Sequence, residues 1–504
     1  GCYCVGTNAG KTENAGVKIT LTNSTFVAQN AASDNCPVMI NVEGSLKVDN
    51  CTITGDRQGV LVRAGEAEIN NSTVINTGKY SNDNKYDDDD WGSGNEVPVA
   101  AIVVGSHNGK YLDDAIVTVI DTVIESQKDG IPAIYVDANA NFSSDLVLTG
   151  IKTQVDGKIV KKDQQKADIT ITGGTFSDTS AKPYVPDGTE LKENKETGKY
   201  ELAPASNAVA QVGNAGYTDL QEAIDRAGEN DTVRLLQDYR ADEAITVDES
   251  KSIVLELNGR NLTLSGQEDY QDDEITSAEY IYGMINKGTL TIQNGEIIVD
   301  EKKNGIVNTG ALTIASDARI SDNASSYARY KLVVNFGGNV VTSGELTSSA
   351  NDGLMTFGGT VNITGGKISA MYWKDGSNAG SSLTIFNRGY NNDSDGANVT
   401  ISGGTLESAA FAASTNNLYS GGKKASNLTI TGGTLFSKHT TAVYWPSAGV
   451  LTIGDEESGN GPSITSANGS AIEICSGTLN VYGGALNGGT EMSDVDSIET
   501  SQDW

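Results

Sequence analysis

A chain of 504 residues exceeds one ordinary globular core, so it forms either several domains or an open-ended repeat. Glycine occurs 58 times against 8 prolines, in Gly-Gly and Asn-Gly pairs between short β-branched runs, which is strand-and-turn chemistry with few helix signals. The formal charge of -31 repels phosphate backbones and anionic lipid heads, which argues against nucleic acid and direct membrane binding, and no run approaches the roughly 18 apolar residues of a membrane-spanning helix.

From the N-terminus, one slot recurs: an apolar residue, any residue, Asn-Ser-Thr, then another apolar residue. It reads Leu21 to Phe26, Val48 to Ile53 with cysteine in place of serine, Ile69 to Val74 and, loosely, Val119 to Ile124. A second strand ending near glycine precedes each slot, as in Val38 to Gly44, Val60 to Gly65 and Ala101 to Gly105. Further on the slot becomes Gly-Gly: Ile171 to Phe176, Ile363 to Ile368, Ile401 to Leu406, Ile430 to Leu435 and Val481 to Leu486. The copies return roughly every 20 to 30 residues, with longer jumps where a loop is inserted. Strands this short cannot bury a face alone, but a coil stacks each on its predecessor at about 4.8 Å. The expected fold is all-β, a right-handed parallel β-helix in two tandem segments.

The repeat breaks after Ser177. Residues 1–180 are expected to form a first β-helix, 181–207 a hairpin linker, and 208–504 a second β-helix. Tyr217 to Gly228 is the one amphipathic helix, with Thr218 or Asp219 as cap, Leu220, Ala223, Ile224 and Ala227 on one face and Gly228 as stop; it is expected to lid the second solenoid. The paired glycines suit corners that need positive φ. Asn23, Asn50 and Asn71 spell glycosylation sequons, yet their place in the repeat makes them corners of the same kind.

Five cysteines (Cys2, Cys4, Cys36, Cys51, Cys475) are too few for a disulfide scaffold and form no metal-spaced cluster; they read as buried or unpaired thiols, with a Cys36 to Cys51 bridge as the alternative. The chain opens abruptly at Gly1 to Gly6 without a signal peptide and closes at Trp504 without a sorting signal. A monomeric fragment of a larger secreted or surface-anchored precursor is therefore expected.

The run from Tyr217 through Leu236, continued by Ile253 to Gly259, resembles the start of the pectate-lyase-like β-helix modules in large surface proteins of Gram-positive gut bacteria. Gly174 to Ser177, with Tyr184 to Gly188 downstream, resembles the end of one. The resemblance spans nearly the whole chain and implies the β-helix fold. For function it implies either an adhesin that binds mucin, glycan or immunoglobulin, or a carbohydrate-active enzyme.

β-Helix lyases and hydrolases work with clustered acids plus a base on one sheet face. The sequence displays no such cluster: His107 lies in a Gly-Ser-His-Asn-Gly turn, and His439 follows Ser437-Lys438 without an acid at strand spacing. The acid runs Asp87 to Asp90, Asp113-Asp114 and Asp272 to Glu274 read as solvated loops. No cofactor is expected; calcium at Asp393 to Gly396 is the alternative, and that loop lacks a later glutamate.

Three strands that follow Gly-Gly rungs carry aromatics: Ala370 to Trp373, Ala409 to Phe411 and Ala442 to Trp445. Aligning the last with Ala471 to Ile474 turns Val443 and Trp445 inward and Tyr444 outward, and the same phase turns Tyr372 and Phe411 outward. A ladder of rings about 5 Å apart, flanked by Lys374, Asp375 and His439, suits sugar rings or a protein partner. The inserted loop from Lys79 to Val97, with Tyr80, Tyr86 and Trp91, is a second candidate. The expected function is surface adhesion to a host glycan or glycoprotein of mucin or immunoglobulin type; a divergent carbohydrate-active enzyme and a passive stalk are the alternatives.

Overall fold

Strands that recur in the sequence lie side by side, parallel and in register, because each turn of the coil repeats the apolar positions of the last. The computed structural model describes residues 2–7, 16–29, 35–79, 98–106, 113–138, 141–162, 166–266, 268–269, 281–301, 303–328, 330–375, 378–386, 396–415 and 425–489. They are largely β, with long parallel sheets in the arrangement of a parallel β-solenoid. The chain divides into two compact units, Gly1–Thr218 and Asp219–Trp504.

In the first unit, inward residues stack as like on like. One column runs Val38, Val60, Ile102, Ile134 and Ile159; a second runs Val48, Ile69, Val119, Leu148 and Ile171. A separate sheet stacks Ile53, Val74, Ile124, Val155 and Phe176. All are buried, so each rung removes its apolar face from water only because its neighbours are present. The corners behave as the repeat implies: Asn23, Asn50 and Asn71 sit at φ 51°, 51° and 46°, and the Asn50 amide donates to Asn23 Oδ1 at 2.6 Å. A hairpin, Thr189–Glu193 with Tyr200–Pro204, pairs antiparallel with Thr175–Phe176, where the parallel register of that sheet stops.

The second unit opens on the helix Leu220–Arg226, shorter than the expected span. The Asp219 side chain caps it by accepting from Glu222 N at 2.9 Å, Leu220, Ala223 and Ile224 are buried, and Lys251 Nζ donates to Ala227 O at 2.8 Å at its far end. Turns of three strands follow. Within this unit Asp231–Leu235, Tyr239–Ala241 and Ile245–Val247 open the first, second and third faces, and later turns, among them Thr289–Gln293, Gly295–Val299 and Asn304–Asn308, add to each. Leu290, Leu312, Val340 and Val361 line the first face inside, and Ile297, Ile320, Leu346 and Ile368 the second. Inside the third face a polar column interrupts the aliphatics: Asn286, Asn308, Asn335 and Thr356.

The Gly-Gly corners stack as tightly as the strands. Gly404 has φ 83°, and a Cβ there would stand 2.5 Å from Gly365 O of the preceding corner. A side chain at that point is excluded by backbone conformation and by space together.

Candidate functional site

The third face of the second unit carries the expected outward tyrosine. Val443 pairs with Ile472, Tyr444 with Glu473 and Trp445 with Ile474, so Val443 and Trp445 are buried inside and Tyr444 stands half-buried outside. Glu473 is held by Thr441, whose hydroxyl donates to Oε2 at 3.0 Å. Burial pushes the Tyr444 phenol up to about 12, helped by the Cys475 thiol at 3.9 Å and the Glu473 carboxylate, so the ring keeps its hydroxyl proton at neutral pH.

The three-ring ladder of Tyr372, Phe411 and Tyr444 does not form. Ala370 to Trp373 is not a third-face strand. The segment after Ala370 folds back as its own hairpin, Trp373–Asp375 against Asn378–Ala379, and Leu383–Phe386 supplies that turn's third-face strand. Phe411 precedes its strand, Ala413–Thr415, and Ser414 is the register partner of Tyr444. An insertion shifts phase, so a period-two count carried across it fails.

In place of one ladder, the rings form separate stacked pairs. Phe411 lies on Tyr444 with centroids 5.3 Å apart and planes at 22°. Trp373 lies on His439 at 4.2 Å and 23°, and Tyr372 on Tyr327 at 5.8 Å and 7°. Tyr327 is fixed in turn, its hydroxyl 3.3 Å from Asp352 Oδ1, while Asp352 pairs with Lys331 at 3.2 Å. Lys374 and Asp375 are exposed on the hairpin. Burial, then the Lys438 charge, holds His439 below its ordinary value, leaving a neutral imidazole that can donate and accept.

A real aromatic column stands elsewhere on the same face. Phe336, Phe357 and Phe386 pair across successive strands and stack at 4.9 and 5.0 Å with planes at 15°. Phe336 is buried with Tyr282, Ile285, Val307 and Val334, whereas Phe357 and Phe386 are partly exposed. Its signal was legible as phenylalanine at one slot, in Val334-Asn335-Phe336-Gly337 and Met355-Thr356-Phe357-Gly358.

In the first unit the registered rungs bring acids together. Asp145 pairs directly with Asp168, and Asp114 Oδ1 accepts from Ser143 N at 2.6 Å. Burial raises the Asp145 carboxyl, the Ser143 hydroxyl opposes the shift, and Asp168 and Asp114 add to it. Lys161 stands 4.0 Å from Asp168. Among the described residues, no group of three or more His, Cys, Asp or Glu could hold a metal ion. Cys36 and Cys51 are both free and buried, so the alternative bridge between them is not formed. Trp91 with Tyr80 and Tyr86, His107, Asp87 to Asp90, Asp272 to Glu274 and Asp393 to Asp395 lie outside the described residues.

Comparison with family models, with curated proteins and with solved structures finds no match to this chain.

Proposed function

We propose that the chain is an adhesin-like binding protein of a bacterial cell surface, built as two tandem right-handed β-helices of the pectate-lyase-like kind, that recognises a host glycan or glycoprotein. The observation that carries this reading is the half-buried pair of Phe411 and Tyr444, stacked at 5.3 Å on a solenoid face. Paired rings of this kind offer flat apolar area at low entropy cost, with the Tyr444 hydroxyl as a polar handle, which suits a sugar ring or an aromatic-rich protein loop. The neutral His439 on Trp373 adds a second such platform.

The test is binding of the purified chain to a glycan array and to immobilised mucin and immunoglobulin, beside Phe411→Ala/Tyr444→Ala and Trp373→Ala variants. Binding to at least one of these that the variants weaken supports the reading. Binding to none, or binding indifferent to both variants, overturns it.

A second reading, a carbohydrate-active enzyme, is favoured by Asp145. A carboxyl raised by burial beside a second carboxyl, that of its register partner Asp168, is the pattern in which two acids can take different roles. Release of reducing ends or unsaturated products from polysaccharide, lost in Asp145→Asn, is the result this reading requires.

A further inference from the structure

The first face of the second unit changes chemistry beyond its opening strands, Asp231–Leu235 and Ser252–Glu256, which carry Asp231, Arg234 and Glu256. From Thr289–Gln293 to Val450–Ile453 its strands alternate a buried residue, aliphatic except at Thr342, with an outward one. The register is unbroken, so the outward residues form straight columns: Thr400 beside Thr429 beside Thr452, and Asn398 beside Asn427. Neither these strands nor Thr478–Val481 contain a single Asp, Glu, Lys or Arg. The chain as a whole is 20% charged and carries a formal charge of -31, so such a long neutral stripe stands out. The second face, by contrast, pairs Arg319 with Glu296 at 3.3 Å and Lys367 with Glu407 at 2.9 Å.

A face free of charge can be covered by a ligand without the cost of desolvating ions, and binding-patch cores are depleted of charge for that reason. What remains is a lattice mainly of hydroxyls and amides, with Ala311, Val341 and Val450 among them, about 4.8 Å apart between rungs and roughly 6.7 Å apart along each strand. The lattice is ordered, since the Asn427 amide donates to Asn398 Oδ1 at 3.1 Å. These strands also lack Trp, Tyr, Phe and Arg, the side chains that anchor folded protein partners. A repetitive partner needs no anchor, because many weak, identical contacts along one polymer add up. The surrounding negative charge disfavours an anionic polymer.

We infer that the outward Thr/Asn lattice of the first face is a binding surface for an extended, unbranched, uncharged polysaccharide. The chain of sugars lies along the stacking axis, each ring meeting successive rungs with hydroxyl-to-hydroxyl and hydroxyl-to-amide bonds. This surface is on a different face from Phe411 and Tyr444 and does not depend on them.

The test is co-sedimentation of the full chain with microcrystalline cellulose, chitin and insoluble mannan, with polygalacturonate as the anionic comparison. The expected result is sedimentation with at least one neutral polymer and none with polygalacturonate. Thr400→Val/Thr429→Val keeps side-chain shape and strand preference while deleting two neighbouring hydroxyls, and should weaken binding at least about tenfold, as removal of repeated contacts does. Thr400→Glu/Thr429→Glu places charge in the lattice and should abolish it; thermal unfolding of both variants checks that the coil is intact. Failure to sediment with all three neutral polymers, or wild-type binding by folded Thr→Val and Thr→Glu variants, overturns the inference. Mucin or immunoglobulin binding without neutral-polymer binding would leave the aromatic site standing alone; the converse would leave the lattice alone.

Discussion

Asn308 donates its side-chain amide to Asn335 Oδ1 at 2.7 Å and accepts from the Asn286 amide, also at 2.7 Å, all three side chains being buried inside the third face. Asn335 continues the chain to Thr356 Oγ1 at 3.1 Å. The amides also reach corner carbonyls, Asn308 that of Gly310 and Asn286 that of Ala311. One polar column thus ties the rungs together and satisfies backbone oxygens at the turn.

Asn308→Ala should therefore be costly. It leaves Asn335 Oδ1 and two corner carbonyls with fewer donors in a buried site, and each orphaned group costs about 1–3 kcal/mol. The outward substitution Thr313→Ala should stay within about 0.5 kcal/mol, as surface changes do. Urea denaturation of the two variants compares them directly; equal midpoints would mean that the column contributes nothing.

The Asn50 corner separates conformation from hydrogen bonding. At φ 51° a β-carbon costs roughly 1–2 kcal/mol for residues other than Asn, Asp and Gly. Asn50→Gly should then be nearly silent apart from its lost bond to Asn23, while Asn50→Ala loses both the bond and the conformation. Thermal unfolding should rank wild type, Gly and Ala in that order. Ala equal to Gly would show that the left-handed conformation is not the constraint.

These corners also show what the sequence made legible. Asn50 and Gly404 could be read as corners because a slot repeated at rung spacing has only one geometric use in a coil. Val443, Tyr444 and Trp445 could be placed inward and outward because the next rung, Ile472 to Ile474, copies their phase without an insertion. Tyr372 could not, since the hairpin at Trp373–Asp375 breaks the count, and Phe411 could not, since it precedes its strand and Ser414 takes the register position of Tyr444. The Asn286, Asn308 and Asn335 column is not legible in the sequence because asparagine ahead of Gly reads locally as a turn residue, and only the register of three distant strands turns it inward. The pairing of Trp373 with His439 joins residues far apart in the chain and left no periodic trace at all.

Cys36 offers a pH test in the first unit. Complete burial pushes its thiol from 9.0 up to about 12, offset in part by bonds to the Val38 and Leu61 backbone, with Cys4 adding to the rise. The unfolded chain loses this proton first as pH rises. The stability contributed by keeping the thiol neutral is therefore present in full below pH 9 and is lost progressively toward pH 12. Cys36→Ser or Cys36→Ala should flatten that part of the stability curve. A thiol reagent at pH 8 should label the exposed Cys4 and Cys475 and spare Cys36 and Cys51 until denaturant is added. Prompt labelling of Cys36 in the native protein would contradict its burial.

The stack of His439 on Trp373 gives a spectroscopic handle on the candidate binding surface. Burial, with the Lys438 charge second, holds the imidazole below its ordinary 6.5. An imidazolium quenches a stacked indole, so Trp373 emission should fall on acidification with a midpoint under 6.5, and His439→Gln should remove that step. The linked effect on folding has a definite sign. The unfolded chain takes up the proton near 6.5 while the folded chain does not, so stability is intact above 6.5 and declines as pH falls through the folded-state value. A ligand that covers Trp373 and His439 should shift the quenching midpoint further down by desolvating the cation. A midpoint at or above 6.5, or one that persists in His439→Gln, would mean that the imidazole is not packed on Trp373 in solution.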